Sequence, residues 1–386
     1  MKSEKSAQKR FLLAGGGTGG HIYPAISIAR ELLSRYPDAN ILFVGGKRGL
    51  AGDLVPKAGF EFQTITVSGF ERRLSLDTFA TAGRAVAGLF QSIAIVRKFR
   101  PSVAVGTGGY VSGPVMLAAA MLGVPVVIHE QNVVPGATNR LLSRWAKTVA
   151  VSWEESKQYL ARPERSVLTG NPIRPEIMSA QREESAASFG LDPRRPIVLA
   201  FGGSQGARRV NTAFIRALPS LSGKHDAQFI LATGSDKFEE SMALAAESGI
   251  RASISSDGIG RSDRGDIIIM PYIYNMPQAL ACADLAICRA GAITLAELAA
   301  RGVAAVLVPH PHVPDNVQEK NARAMEARGA ARVILDSELE PEVLGREIDS
   351  LLSSRPVLAS MSRASRNLGR PDAAARVADC VVKAAR

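Results

Sequence analysis

Three cysteines in 386 residues, Cys282, Cys288 and Cys380, form no CxxC pair and are too few for a disulfide framework, so a reducing cytosol is expected. Long apolar runs are also missing. Residues 1–10 are basic and polar, and the short apolar segment behind them stops at Gly15–Gly20, which leaves no signal-peptide core. The longest apolar stretch, Gly113–Ile128, is interrupted by Pro114, Gly123 and Pro125. It falls short of the roughly 20 apolar residues of a spanning helix, so no membrane crossing is expected. No Asp-x-Asp pair occurs and no His/Cys/carboxylate cluster has metal-ligand spacing. Neither a protein-held metal nor a cofactor is therefore expected. A Walker-type Gly-Lys-Ser/Thr ending is absent too, which disfavours an NTPase.

What is there begins with charge. The chain carries 47 Lys and Arg against 36 Asp and Glu, a net of +11. Residues 1–171 hold 21 basic and 11 acidic residues, and the remainder holds 26 and 25. Charge this uneven suits one half meeting an anionic partner, either nucleic acid or an acidic membrane surface. Simple solubility is the plainer reading, and charge alone leaves both open.

The pattern strand, Gly-rich turn, helix, strand occurs twice. Phe11–Ala14 leads into Gly15–Gly20 and a helix over Pro24–Tyr36, followed by apolar strands at Ile41–Val44, Val103–Val105, Val126–Ile128 and Val149–Val151. Ile197–Ala200 leads into Gly202–Gly206 and a helix over about Arg208–Leu218. Strands at Phe229–Leu231, Ile267–Ile269, Leu285–Ile287 and Ala305–Val308 follow. Continuously apolar strands alternating with helices imply parallel sheets covered on both faces. The fold class is α/β, with two Rossmann-like domains. The expected division is 1–171 plus 362–386 against 172–361, with prolines and a glycine in Gly170–Pro175 marking the first boundary. Residues 251–266, polar and rich in Gly, Ser and Asp, read as a surface loop.

Gly15-x-Gly17-x-x-Gly20 matches a dinucleotide turn, in which backbone N–H groups and a helix start face a phosphate. A dinucleotide enzyme also needs an acid at the end of its second strand, and here Gly45-Gly46 stands there, so NAD is disfavoured. The second loop occupies the equivalent place in the other half. Two anion-facing loops suit an enzyme that handles two phosphorylated substrates.

The segments Ala14–Pro24 (AGGGTGGHIYP), Gly106–Pro114, His129–Asn132, Gly170–Arg174, Gly202–Ala207 and Cys288–Glu297, with Gln318, Asn321 and Ala322, resemble the MurG family in order over nearly the whole chain. The resemblance implies a GT-B fold, two Rossmann-like domains facing across a cleft. It also implies an inverting transfer of N-acetylglucosamine from UDP-N-acetylglucosamine to the C4 hydroxyl of the N-acetylmuramyl unit of lipid I, giving lipid II. Glu297, read as lying at a helix start, would accept the ribose hydroxyls. The Ile273 backbone would meet the uracil edge. Ala292, Ile293, Thr294, Leu295 and Ala296 would line the nucleotide, with Ser204 and Arg174 facing it. Gln318 would hold sugar hydroxyls, although Val317 stands before it where relatives commonly carry a polar residue. On the acceptor side, His21 is a general base or an acceptor binder, beside backbone groups of Thr18, Gly19 and Gly20. Asn132 would bind a sugar. His129 is either functional or a core or hinge histidine. Two rivals are a non-catalytic binder of UDP-sugar or lipid diphosphate, and another GT-B enzyme such as a UDP-N-acetylglucosamine 2-epimerase.

The implied acceptor is undecaprenyl-linked, which turns the anionic partner into a membrane rather than nucleic acid. The expected location is peripheral, on the cytoplasmic side of the inner membrane, alongside the machinery of cell-wall synthesis and division. Within Phe70–Arg100, apolar Leu74 and Phe79 among basic Arg72, Arg73 and Arg84 mark the expected docking patch. Most of the apolar side chains in that segment are expected to pack into the core.

Overall fold

The computed structural model describes residues 8–47, 49–67, 76–203 and 206–385, with the side chains of 76–82 left aside. It divides into two compact units, Met1–Arg174 with Arg370–Arg386, and Pro175–Gly369.

The first unit is built on β1 (Arg10–Ala14), β2 (Asn40–Gly46), β3 (Glu61–Ile65), β4 (Val103–Gly106), β5 (Val126–Glu130), β6 (Thr148–Val151) and β7 (Ser166–Leu168). All pairings are parallel, in the order β3-β2-β1-β4-β5-β6-β7. Successive side chains of a strand point to opposite faces. Phe11 and Leu13 accordingly enter one core with the helices Gly19–Arg35 and Ala373–Ala384. Leu12 and Ala14 enter a second core with the helices Leu76–Phe99, Ser112–Met121 and Ala137–Leu142. Both faces are covered, which is why these strands read as unbroken apolar runs.

The second unit contains β8 (Ile197–Phe201), β9 (Gln228–Ala232), β10 (Ala252–Ile254), β11 (Gly260–Ser262), β12 (Ile267–Met270), β13 (Leu285–Cys288), β14 (Ala304–Leu307) and β15 (Ala331–Val333). Their order is β10-β11-β12-β9-β8-β13-β14-β15, parallel except where β11 pairs with β10 and β12. Val198, Phe229, Ile269 and Ile287 pack with Phe214 of the helix Arg208–Leu221 and Leu344 of the helix Pro341–Ser353.

Two expectations change. Residues 251–266 form an antiparallel edge ribbon rather than a loop. Polar side chains are tolerated on such an edge because they face water. The turn is fixed by Asp257, whose carboxylate accepts the Ile259 N–H (3.1 Å) and the Ser255 hydroxyl. The division of the chain also lies at Gly369/Arg370 rather than 361/362. The basic helix Arg355–Leu368 packs on the helix Ala292–Arg301 and on β14 of the second unit. A Cβ on Gly369 would come within 2.6 Å of the Ala299 carbonyl, so the chain passes the second unit closely up to that residue. At the other crossing, Ile173 is buried and its carbonyl accepts the Ser27 hydroxyl (3.2 Å), which keeps 172–174 with the first unit.

Candidate active site

In open α/β sheets, ligands meet the carboxyl ends of strands where the strand order reverses. In the first unit that point lies between β1 and β4. β1 runs into residues 15–18 and the helix Gly19–Arg35, and β4 runs into residues 107–111. The two loops meet backbone to backbone. A Cβ on Gly15 would lie 2.2 Å from Thr107 Oγ1, and one on Gly109, where φ is +78°, would lie 2.2 Å from the Gly16 carbonyl. Glycine is therefore demanded by contact as well as by turn geometry. Thr18 begins the helix without a side-chain capping bond, and no acid occupies the first turn, so the start of this helix keeps its positive character.

His21 sits in that first turn, with Nδ1 2.9 Å from the Thr107 carbonyl. A carbonyl can only accept, so Nδ1 carries a proton, and in the neutral imidazole the lone pair is on Nε2. A Cβ on Gly108 would lie 2.8 Å from Nδ1, so a side chain there would push the imidazole off its carbonyl. The arrangement turns Nε2 away from that bond, so in its neutral form the imidazole can accept a proton there.

Behind it, Glu130 is buried and satisfied by four N–H donors. Its Oε1 accepts from the backbone and side chain of Asn132 (2.9 and 3.2 Å), and its Oε2 from Gly136 N–H and Asn139 Nδ2 (3.1 and 2.9 Å). Asn132 is thus held in place by a carboxylate that the sequence reading quoted without giving it a role. His129 is a core histidine. Its Nε2–H donates to the Gly170 carbonyl (3.0 Å), Gln131 donates to its Nδ1 (3.2 Å), and burial pulls its pKa down to about 4. Arg174 falls in the first unit, its guanidinium 5.8 Å from the ring centroid of Tyr23, rather than in the unit expected to hold the nucleotide.

In the second unit the strand order reverses between β8 and β13. After β8, a Cβ on Gly206 (φ +67°) would lie 1.9 Å from the Thr233 carbonyl, so this loop too is pressed against backbone. Ser204 lies outside the described residues. After β13, Gly291 starts the helix Ala292–Arg301, again with no acid in the first turn. Ala292, Ile293, Thr294 and Ala296 are partly exposed, whereas Leu295 packs into the core and its N–H donates to the Gly291 carbonyl. Glu297 is not at the helix start. It is the sixth of ten residues and 5% exposed, because the Ala-Ile-Thr segment expected as a turn is already helical. Ile273 is buried just beyond β12, and its neighbours Tyr272 and Tyr274 meet edge to face at 5.0 Å. Tyr274 is 89% exposed, an aromatic beside the expected base site that sequence reasoning passed over.

Gln318 lies in the first turn of the helix Val317–Glu326, and its Oε1 accepts the His310 N–H (2.9 Å). The loop before it turns through Asp315 and Asn316, both at positive φ (+57° and +50°). Arg289, also missed although it stands inside the quoted motif, anchors that loop. Its Nη1 reaches the Val308 and Pro309 carbonyls (3.2 Å each) and Asp336 (2.6 Å). Asn321 is buried, with Nδ2 3.5 Å from the Ala290 carbonyl beside the start of the Ala292–Arg301 helix. Cys288, at the end of β13, is buried and its thiol is pushed up to about 12, which leaves it inert.

Residues 11–151 match the glycosyltransferase family 28 N-terminal domain, and residues 197–377 match the family 28 C-terminal domain. The chain is 45% identical over 374 residues to the UDP-N-acetylglucosamine–N-acetylmuramyl-(pentapeptide) pyrophosphoryl-undecaprenol N-acetylglucosamine transferase of Desulforamulus reducens, covering 97% of this chain and 98% of that one. The enzyme of the same name from Moorella thermoacetica is also 45% identical, with the same coverage. Among solved structures, Acinetobacter baumannii MurG superposes with a TM-score of 0.76 at 29% identity, over 97% of this chain and 99% of that one.

The chain belongs to the MurG family.

Its two units are accordingly the two Rossmann-like domains of a GT-B glycosyltransferase. The two family matches begin at the first strands of the two sheets, β1 and β8.

Proposed function

We propose that the protein moves N-acetylglucosamine from UDP-N-acetylglucosamine to the C4 hydroxyl of the N-acetylmuramyl unit of lipid I, forming lipid II for peptidoglycan. The reading is carried by a pair of features: a helix start beside an imidazole held at Nδ1 in the first unit, and a buried carboxylate inside the helix Ala292–Arg301 in the second. The relatives' names supply the substrates. Glu297 accepts the ribose hydroxyls, the Ile273 backbone reads the uracil edge, and Gln318 meets the sugar. In the reaction the acceptor oxygen attacks the anomeric carbon, the bond to the diphosphate breaks, and the hydroxyl proton passes to His21 Nε2. The configuration inverts in this single displacement. The charge of the leaving UDP is met by helix-start N–H groups and arginine, with no protein-held metal.

Release of UDP should require a soluble lipid I analogue. A binding protein would release none, and an epimerase would invert the sugar at C2 without acceptor, its product still joined to UDP.

The membrane supplies the acceptor, and the first unit is the one that docks. It carries 26 Lys and Arg against 13 Asp and Glu, while the second carries 21 against 23. From residue 78 to residue 153 there are seven basic residues and a single acid, the buried Glu130. Helices of this span lie side by side over one face of the sheet and expose Val86, Phe90 (67%), Met121 and Leu141, with Trp145 (47%) exposed in the turn after the last of them. Arg84, Arg97 and Arg144 are exposed on the same segments. Apolar side chains among cations, with a tryptophan, suit an anionic headgroup layer. Of the expected patch, Arg72, Arg73 and Leu74 lie outside the described residues, as does the side chain of Phe79. Leu89, Ile93 and Ile95 pack against the core. No helix among the described residues is long and apolar enough to span a membrane.

A further inference from the structure

We propose that Gln131 is a positioning residue that holds His21 in its base-ready tautomer. The inference rests on the reading of His21 as the general base.

Gln131 is 2% exposed, and its Nε2 lies 2.6 Å from the Thr107 carbonyl and 3.2 Å from His129 Nδ1. The Thr107 carbonyl is the same group that receives His21 Nδ1. His129 donates from Nε2 to the Gly170 carbonyl, so its Nδ1 carries a lone pair. Burial keeps that imidazole neutral. Two acceptors therefore face one amide nitrogen, and its two hydrogens satisfy both. Rotating the amide would set its oxygen against a carbonyl oxygen and a lone pair, so the hydrogen-bond partners fix the orientation.

The arrangement leaves Gln131 Oε1 buried without a partner among the described residues. An unpaired buried acceptor destabilises the fold, and leucine would fill the space without that one while leaving His129 Nδ1 unpaired instead. Packing therefore does not account for an amide here. Its hydrogens do, because they pin the Thr107 carbonyl in the direction from which it draws the His21 proton to Nδ1. Gly108 leaves room for the imidazole to reach that carbonyl, and the Thr107 hydroxyl donates to the His21 carbonyl (2.8 Å). The chain His21–Thr107–Gln131–His129–Gly170 is one connected hydrogen-bond network running from the helix start to the end of β7.

The test is Gln131→Leu in the full chain, read four ways. Turnover should fall about 10- to 100-fold, the scale of a misplaced reacting group. The donor KM should stay unchanged and the melting temperature should change little, because the variant exchanges the unpaired Gln131 Oε1 for an unpaired His129 Nδ1. In nitrogen NMR of the five histidines, assigned with His21→Ala, wild-type His21 should carry its proton on Nδ1 and the variant should populate Nε2–H. Full turnover with the tautomer unchanged overturns the inference. Turnover lost only together with melting temperature also overturns it, since that is a packing role. If Gln131→Leu does not fold, the wild-type spectrum still decides, because a proton on His21 Nε2 contradicts the proposal outright. If His21→Ala keeps its turnover, the base reading itself has failed, independently of Gln131.

Discussion

The two units share a sheet plan and differ in what they place at the point where the strand order reverses. The first sets an imidazole there, backed by the buried polar network of Gln131, His129 and Glu130. The second sets a carboxylate one and a half turns inside a helix, flanked by an arginine-anchored loop. One arrangement can exchange a proton; the other offers a buried carboxylate that can accept hydrogen bonds. The charge follows the same division, a net of +13 against −2. The lesson is that a repeated fold fixes where ligands sit and leaves their chemistry to a few side chains.

The comparison breaks most visibly at His21. His21→Ala should lower turnover by about 10²- to 10⁴-fold, the span of general base catalysis, with UDP affinity unchanged by calorimetry. A parallel fall in UDP affinity would show that the units do not divide the work this way. Glu297→Ala should do the reverse. Losing hydrogen bonds to a charged acceptor, worth about 1.5–3 kcal/mol, should weaken UDP binding by the corresponding roughly 10- to 150-fold. Tight UDP binding by that variant removes Glu297 from the donor site.

Acid should separate the units next. The pKa of His129 is lowered from 6.5 to about 4 by burial. The unfolded chain therefore binds a proton that the folded one refuses between those values, and stability falls as pH drops through that window. The loss levels off below about pH 4 at roughly 3 kcal/mol. Hydrogen exchange corrected for intrinsic rates should show the first unit opening before the second at pH 4.5. His129→Gln, which can keep the bond to Gly170, should flatten the difference. Equal opening of both units would assign the acid response elsewhere.

The smallest effect per residue is at the membrane. Each cation near an anionic surface contributes about 1 kcal/mol, so Arg84, Arg97 and Arg144→Glu together should release the protein from acidic vesicles at lower salt. Emission from Trp145, isolated by Trp153→Phe, should shift to the blue on those vesicles. Neutral vesicles binding equally well would remove charge from the account.

Much of this was legible in the sequence. Unbroken apolar strands, two glycine loops and motif order indicate two parallel sheets and the segments at their carboxyl ends. What stayed hidden depends on contacts distant in sequence. Glu297 reads as a helix start because Gly291 and Thr294 resemble a turn, and only the fold shows the helix beginning at Ala292. The helix Arg355–Leu368 is as basic as the segment after it, so composition could not show which unit it covers. Leu141 and Trp145 have the four-residue spacing of a core-facing helix, yet both are exposed. The role of Gln131 appears only once Thr107, 24 residues away, is brought to it.

The most direct test is transfer of labelled N-acetylglucosamine from its UDP donor to a soluble lipid I analogue, with the new linkage defined by NMR. The account predicts a disaccharide joined at the C4 hydroxyl with the anomeric configuration opposite to that of the donor, formed by wild type and nearly abolished by His21→Ala. Retained configuration, or sugar released to water with the acceptor unmodified, would contradict it.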